Sequence, residues 1–105
     1  NAPVVIAMCA RLKDAGYKKG EVTTKFGDWF MFDLGLACQN LSIAAHSLGL
    51  GSVIMGLYDH DRAAQVIKVP EGYELVALIP MGYPSKIPSP PKRRTLEEFV
   101  RRDSF

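Results

Sequence analysis

The sequence predicts a layered α+β or α/β domain in which a small sheet is covered by one long apolar helix. Three observations predict it. Short runs rich in β-branched residues lie at 4–10, 52–57 and 73–83. A long stretch with helical apolar spacing fills 23–50. The order along the chain is strand, helix, strand, helix, strand and tail, the alternation of a layered fold.

Val4 to Ala10 (VVIAMCA) reads as a buried strand, with Pro3 at its entrance, where no ladder N–H is needed. Residues 11–20 are polar and broken by Gly16 and Gly20, so they form a loop. A helix is expected over 23–50, with Thr23 or Thr24 as N-cap and Gly27 weakening its first turns. Ala37, Leu41, Ala44, Ala45 and Leu48 fall on one stripe, and Phe32, Leu36 and Ile43 cover much of a second. A helix apolar over most of its circumference is buried, in a core or a subunit interface. Gly49 fits the left-handed position that ends a helix.

Ser52 to Leu57 has strand character, and Asp59 is an N-cap for a short helix through about Lys68 using Ala63, Ala64 and Ile67. Pro70-Glu71-Gly72 is a turn. Tyr73 to Tyr83 (YELVALIPMGY) is a second strong strand, in which Pro80 suggests an edge, a bulge or a strand end. The four prolines between 84 and 91 make an extended, surface-lying segment. Thr95 begins a last helix, with Glu98 placed for a capping box.

A chain of 105 residues suffices for one domain. Its balance of 13 basic and 11 acidic residues does not suggest nucleic acid. Cys9 and Cys38 stand far apart in apolar surroundings and read as reduced, buried thiols of a cytoplasmic protein, without metal-ligand spacing. No apolar run reaches membrane-spanning length. The chain opens Asn1-Ala2-Pro3-Val4 and enters an apolar run at once, as the middle of a protein would. The expectation is a single partial domain over 1–105 whose N-terminal half is absent.

No nucleophile–base constellation is suggested: the two histidines, His46 and His60, are scattered, and Glu97-Glu98 reads as a solvated helix start. Gly49-Leu50-Gly51-Ser52 taken alone is better read as a helix cap than as a phosphate loop. Two features together say more. In GLGSVIMGLYD (49–59) a third glycine, Gly56, lies inside a strand-like segment, where glycine often marks close approach to a ligand. In PPKRRTLEEF (90–99), Lys92, Arg93 and Arg94 precede a helix start, an arrangement that favours an anion, although such clusters are most often solvated surface. One segment suits a flat apolar ring, the other a phosphate. Flavin mononucleotide (FMN) has both.

The ordered set APVVI (2–6), FDLGLACQNLSIAAHSLGLGSVIMGLYD (32–59), VPEGYELVALIPMGYP (69–84) and KRRTLEEFV (92–100) resembles the nitroreductase family. The resemblance implies a nitroreductase-like mixed sheet flanked by helices, with a long buried central helix, here as the C-terminal portion of the fold. It implies a homodimer with FMN at the subunit interface, taking electrons from NAD(P)H and passing them to a small-molecule acceptor such as a nitroaromatic or quinone. The flavin carries the chemistry, consistent with the missing side-chain constellation. By resemblance, the backbone of Ile54, Met55, Gly56 and Leu57 runs along the isoalloxazine, with an N–H near Gly56 donating to flavin N5. Arg93 is the first match to the family's C-terminal phosphate contact, with Lys92 and Arg94 beside it. The family's N-terminal Arg-rich phosphate segment has no match here, so a site formed by this chain alone is expected to be incomplete. Two other readings stand beside this one: a related flavin enzyme with different chemistry, such as dehalogenation, and a non-enzymatic flavin-binding or dimerisation remnant.

Overall fold

The computed structural model describes residues 2–105. Strand β1 (Val4–Arg11) is followed by a small hairpin, β2 (Tyr17–Lys18) and β3 (Glu21–Val22). Helix α1 (Phe30–Ser47) leads to β4 (Gly51–Ser52), α2 (His60–Val66), β5 (Tyr73–Gly82) and α3 (Leu96–Phe99). The main sheet has the order β1-β5-β4, and the expected mixed sheet shows only antiparallel ladders among the described residues. The abrupt apolar opening of the chain is therefore a paired strand, since β1 runs beside β5 from Val4↔Met81 to Arg11↔Tyr73. Its register shifts between Met8 and Cys9, which leaves Val76 as the extra residue of a bulge.

Alternation in β5 puts Leu75, Ala77 and Ile79 on one fully covered face, and these three make most of the core. Cys38 and Ala45 of α1 complete it. Around them Leu34, Leu41 and Ser42 are half-buried, so the covered stripe is centred on Cys38. Of the stripe expected through Ala37, Leu41, Ala44, Ala45 and Leu48, Leu41 and Ala45 lie on the covered side, whereas Ala37, Ala44 and Leu48 are exposed and the inner face instead takes in a polar residue. Ser42 is tolerated there because its hydroxyl donates to the Cys38 carbonyl (2.9 Å). The helix is covered on this face alone. Phe32, Leu36 and Ile43 remain more than half exposed, so this chain's own sheet covers one side of the helix and leaves the second stripe open.

Helix α1 starts at Phe30, seven residues after the expected Thr23. The intervening chain folds on itself instead. Gly27 takes φ +74°, the Thr24 hydroxyl donates to the Gly27 carbonyl (2.9 Å), and Trp29 Nε1 donates to Thr24 Oγ1 (2.5 Å). Asp28 Oδ1 then accepts from the Phe30 N–H (3.2 Å) at the helix entrance. At the other end the Leu50 N–H donates to Ala45 O and the Gly49 N–H to His46 O, with Gly49 at φ +73° as expected. Asp59 caps α2 by accepting from the Arg62 N–H (3.0 Å). Thr95 stands at the start of α3 but makes no side-chain cap bond, so the expected capping box does not form.

Two further expectations change. Pro80 is neither at an edge nor at a strand end; it lies inside the central strand, opposite Val53 in the β4 register. The Val53 N–H reaches the Pro80 carbonyl at 3.4 Å, but proline has no N–H to return. That missing rung is why β4 stops at Ser52 and pairing resumes only as an isolated bridge at Met55↔Leu78. Cys9 is exposed, not buried, because β1 is an outer strand of the sheet; Cys38 is buried as expected. Among the described residues no helix is long and apolar enough to cross a membrane.

Candidate functional site

The segment 53–57 crosses the end of β4 toward α2 with its backbone fixed at few points. The Met55 N–H donates to Leu78 O (2.9 Å) and the Leu78 N–H donates to Met55 O (3.0 Å). A trans peptide holds its C=O and N–H on opposite sides. The Met55 carbonyl faces β5, so the Gly56 N–H points away from the sheet. Among the described residues that N–H has no hydrogen-bond partner. A Cβ built on Gly56 would meet no atom within 4 Å, so the space above it is open. Ile54 is half exposed and Leu57 almost wholly so.

An apolar cavity of about 760 Å³ opens beside this segment, with Ile54, Gly56, His60, Phe30, Met31 and Leu75 among its walls. A flat, largely apolar ring system fits such a space, and an unpaired N–H on its rim suits a ring nitrogen acceptor. On these observations the segment fits the ring of a flavin.

His60, for which the sequence suggests no catalytic partner, stands at the first position of α2. Its Nε2 lies 3.0 Å from the Gly56 carbonyl and its Nδ1 3.2 Å from the Leu75 carbonyl. These two carbonyls, Gly56 first, raise its pKa above the ordinary histidine value, with smaller contributions from Glu74 and Asp61 against partial desolvation. Tyr58 stacks on the imidazole at 4.0 Å between centroids and 23° between planes. The Tyr58 hydroxyl is buried with no partner among the described residues, and burial pushes its pKa up.

Lys92, Arg93 and Arg94 lie on an arm that is exposed at every residue from Tyr83 to Phe105. No hydrogen bond or ion pair among the described residues ties them to Ile54–Leu57.

Comparison with known proteins places this geometry. The chain is 36% identical over 92 residues to a provisionally named NADH dehydrogenase/NAD(P)H nitroreductase of Methanothermobacter thermautotrophicus, covering 84% of this chain and 44% of the relative. A similarly named Archaeoglobus fulgidus protein is 28% identical over 88 residues, covering 80% of this chain and 46% of that one. The chain thus spans about half the length of the curated relatives it matches. Among solved structures, a nitroreductase family protein of Clostridium difficile superposes with a TM-score of 0.82 at 25% identity, covering 100% of this chain and 62% of that one. An iodotyrosine deiodinase bound to FMN and 3-iodo-L-tyrosine shares the fold at 23% identity and a TM-score of 0.73, covering 99% of this chain and 48% of its own.

The fold is that of the flavin oxidoreductases. The sequence profile of the nitroreductase family matches residues 1–83, and the chain belongs to that family. Two expectations are corrected by these matches. The likeness is not confined to a C-terminal remnant, and the family fold is not lacking its N-terminal half over this chain. It runs from the first residues, where β1 already pairs with β5, and spans nearly the whole chain.

Proposed function

We propose that this chain acts in an FMN-dependent oxidoreductase that passes electrons from NAD(P)H to a small acceptor such as a nitroaromatic or quinone. Bound FMN supplies the two-electron chemistry; the protein's part is to hold, orient and shield the ring. Ile54, Met55, Gly56 and Leu57 form one wall against the ring, with the Gly56 N–H donating to flavin N5. Lys92, Arg93 and Arg94 serve the phosphate, Arg93 foremost. The single observation that carries this reading is the Gly56 N–H, unpaired among the described residues and directed off the sheet beside an apolar cavity.

Residues 1–105 form one domain of a cytoplasmic homodimer in this reading. The uncovered α1 face with Phe32, Leu36 and Ile43 supplies apolar surface for the second subunit. The test is titration of the protein with FMN, followed by flavin fluorescence, and then addition of NADH or NADPH. Flavin emission should fall on binding, and the visible absorbance should bleach with a nicotinamide. Arg93→Gln should weaken FMN binding more than Lys92→Gln or Arg94→Gln. Each exposed substitution should shift stability by no more than about 0.5 kcal/mol. Absence of any flavin binding at high FMN would defeat the reading.

A further inference from the structure

We propose that His60 is a positioning residue, whose imidazolium latches the Gly56 carbonyl to the Leu75 carbonyl of β5 and so fixes the backbone wall at Gly56 and Leu57. The flavin-related part of this rests on the function proposed above; the latch itself does not.

Both ring nitrogens of His60 face carbonyl oxygens, at 3.0 Å for Gly56 and 3.2 Å for Leu75. Carbonyls only accept, and a neutral imidazole carries one N–H. Only the imidazolium can donate to both. A neutral ring leaves one of the two oxygens facing a lone pair at hydrogen-bond distance, and one side of the latch opens. The surroundings favour the charged ring. Glu74 on β5 and Asp61 on α2 both act in that direction. The Tyr58 ring lies against the imidazole, and a cation over an aromatic face is favourable. Tyr58 itself stays a neutral phenol, its pKa raised first by burial and then by Cys9 and Glu74.

The consequence for the wall follows from peptide planarity. The Met55 carbonyl held by Leu78 turns the Gly56 N–H outward. The Gly56 carbonyl held by His60 turns the Leu57 N–H to the side opposite His60. Neither N–H has a partner among the described residues. Met55 is fixed by the sheet, whereas among the described residues the next peptide has only His60 to set its plane. A histidine whose folded pKa is raised contributes fully below the ordinary value and loses its contribution as pH rises through the folded value. The latch is therefore closed on the acid side of the raised folded pKa and opens as pH rises through it.

The test is NMR of the full-length chain. In the ¹⁵N-labelled protein the His60 ring should titrate above an ordinary histidine, with both ring N–H groups present on the acid side. The Gly56 and Leu57 amide signals should move with the same midpoint, and this shared transition should vanish in His60→Gln and His60→Phe. A ring that titrates at or below the ordinary value, or amides that ignore it, would overturn the latch; the wild-type titration decides this even if a variant fails to fold. In a second arm FMN is added at a pH below the His60 transition. The variants should bind about tenfold more weakly than wild type, and the gap should narrow above the transition. Equal binding on the acid side would overturn the positioning role. If the wild-type chain binds no FMN while the NMR transition is present, the flavin assignment fails and the latch stands.

Discussion

Gly56→Ala separates folding from binding at a single methyl group. The backbone at Gly56 is outside the left-handed region, and the added Cβ would meet no atom within 4 Å. Alanine therefore fits the folded chain, and it narrows the unfolded ensemble. Stability should stay level or rise by about 0.4–1 kcal/mol. The same change at Gly82 is the control, since its Cβ would lie 2.6 Å from Pro3 Cδ and 3.3 Å from Pro3 Cγ. Overpacking of that kind costs about 1–3 kcal/mol. Binding should respond in the opposite order. A methyl at residue 56 pushes a stacked ring outward by roughly 1 Å if carbon contacts are to stay near 3.5–4.0 Å. That displacement breaks the bond from the Gly56 N–H, worth about 0.5–1.5 kcal/mol, and loosens the stack. Together these should weaken FMN binding at least about tenfold. Urea unfolding followed by the emission of Trp29, the single tryptophan, measures the first effect, and flavin quenching measures the second. Unchanged FMN affinity in a well-folded Gly56→Ala would refute the backbone wall. A strongly destabilised Gly56→Ala would refute the open space above it.

Other positions make independent claims. Ile79 is wholly buried at the centre of β5, so Ile79→Ala should cost about 2–5 kcal/mol in urea unfolding, whereas a loss under 1 kcal/mol would contradict its place in the core. Lys68 ends α2 at φ +56°, with its N–H donating to Gln65 O and the next N–H, of Val69, to Ala64 O. A non-glycine residue pays about 1–2 kcal/mol there, partly offset by glycine's greater unfolded freedom, so Lys68→Gly should raise stability by up to about 1 kcal/mol. A lower midpoint in thermal unfolding would count against that cap geometry.

The main strands were legible because their composition is unambiguous: VVIAMCA and YELVALIP are rich in residues that suit a pleated surface. The end of α1 was legible from Gly49 and the start of α2 from Asp59, since each carries a local backbone requirement. The start of α1 was hidden because apolar spacing says nothing about Trp29 reaching back to Thr24. The inner face of α1 was misjudged for a similar reason, as Ser42 is made acceptable only by the Cys38 carbonyl. Pro80 misled because its cost depends on what lies opposite, and Val53 is an interrupted partner. The segment whose backbone N–H groups lack partners among the described residues could be picked out from Gly56. His60 could not, because one of its two acceptors, Leu75 O, lies 15 residues away beside a bulge that leaves no trace in the local pattern. The cation cluster was equally visible, and no hydrogen bond or ion pair among the described residues joins it to that segment.

Pro80 has a consequence beyond its own strand. A fully paired ribbon from 51 to 57 would present a regular row of outward donors and acceptors, the template on which another chain's strand can grow. With one rung missing, the ribbon cannot keep that regular spacing, and the Gly56 and Leu57 N–H groups, without partners among the described residues, do not form a regular template for an incoming strand. A single imino acid thus interrupts the regular edge just before the peptides whose N–H groups have no partner among the described residues.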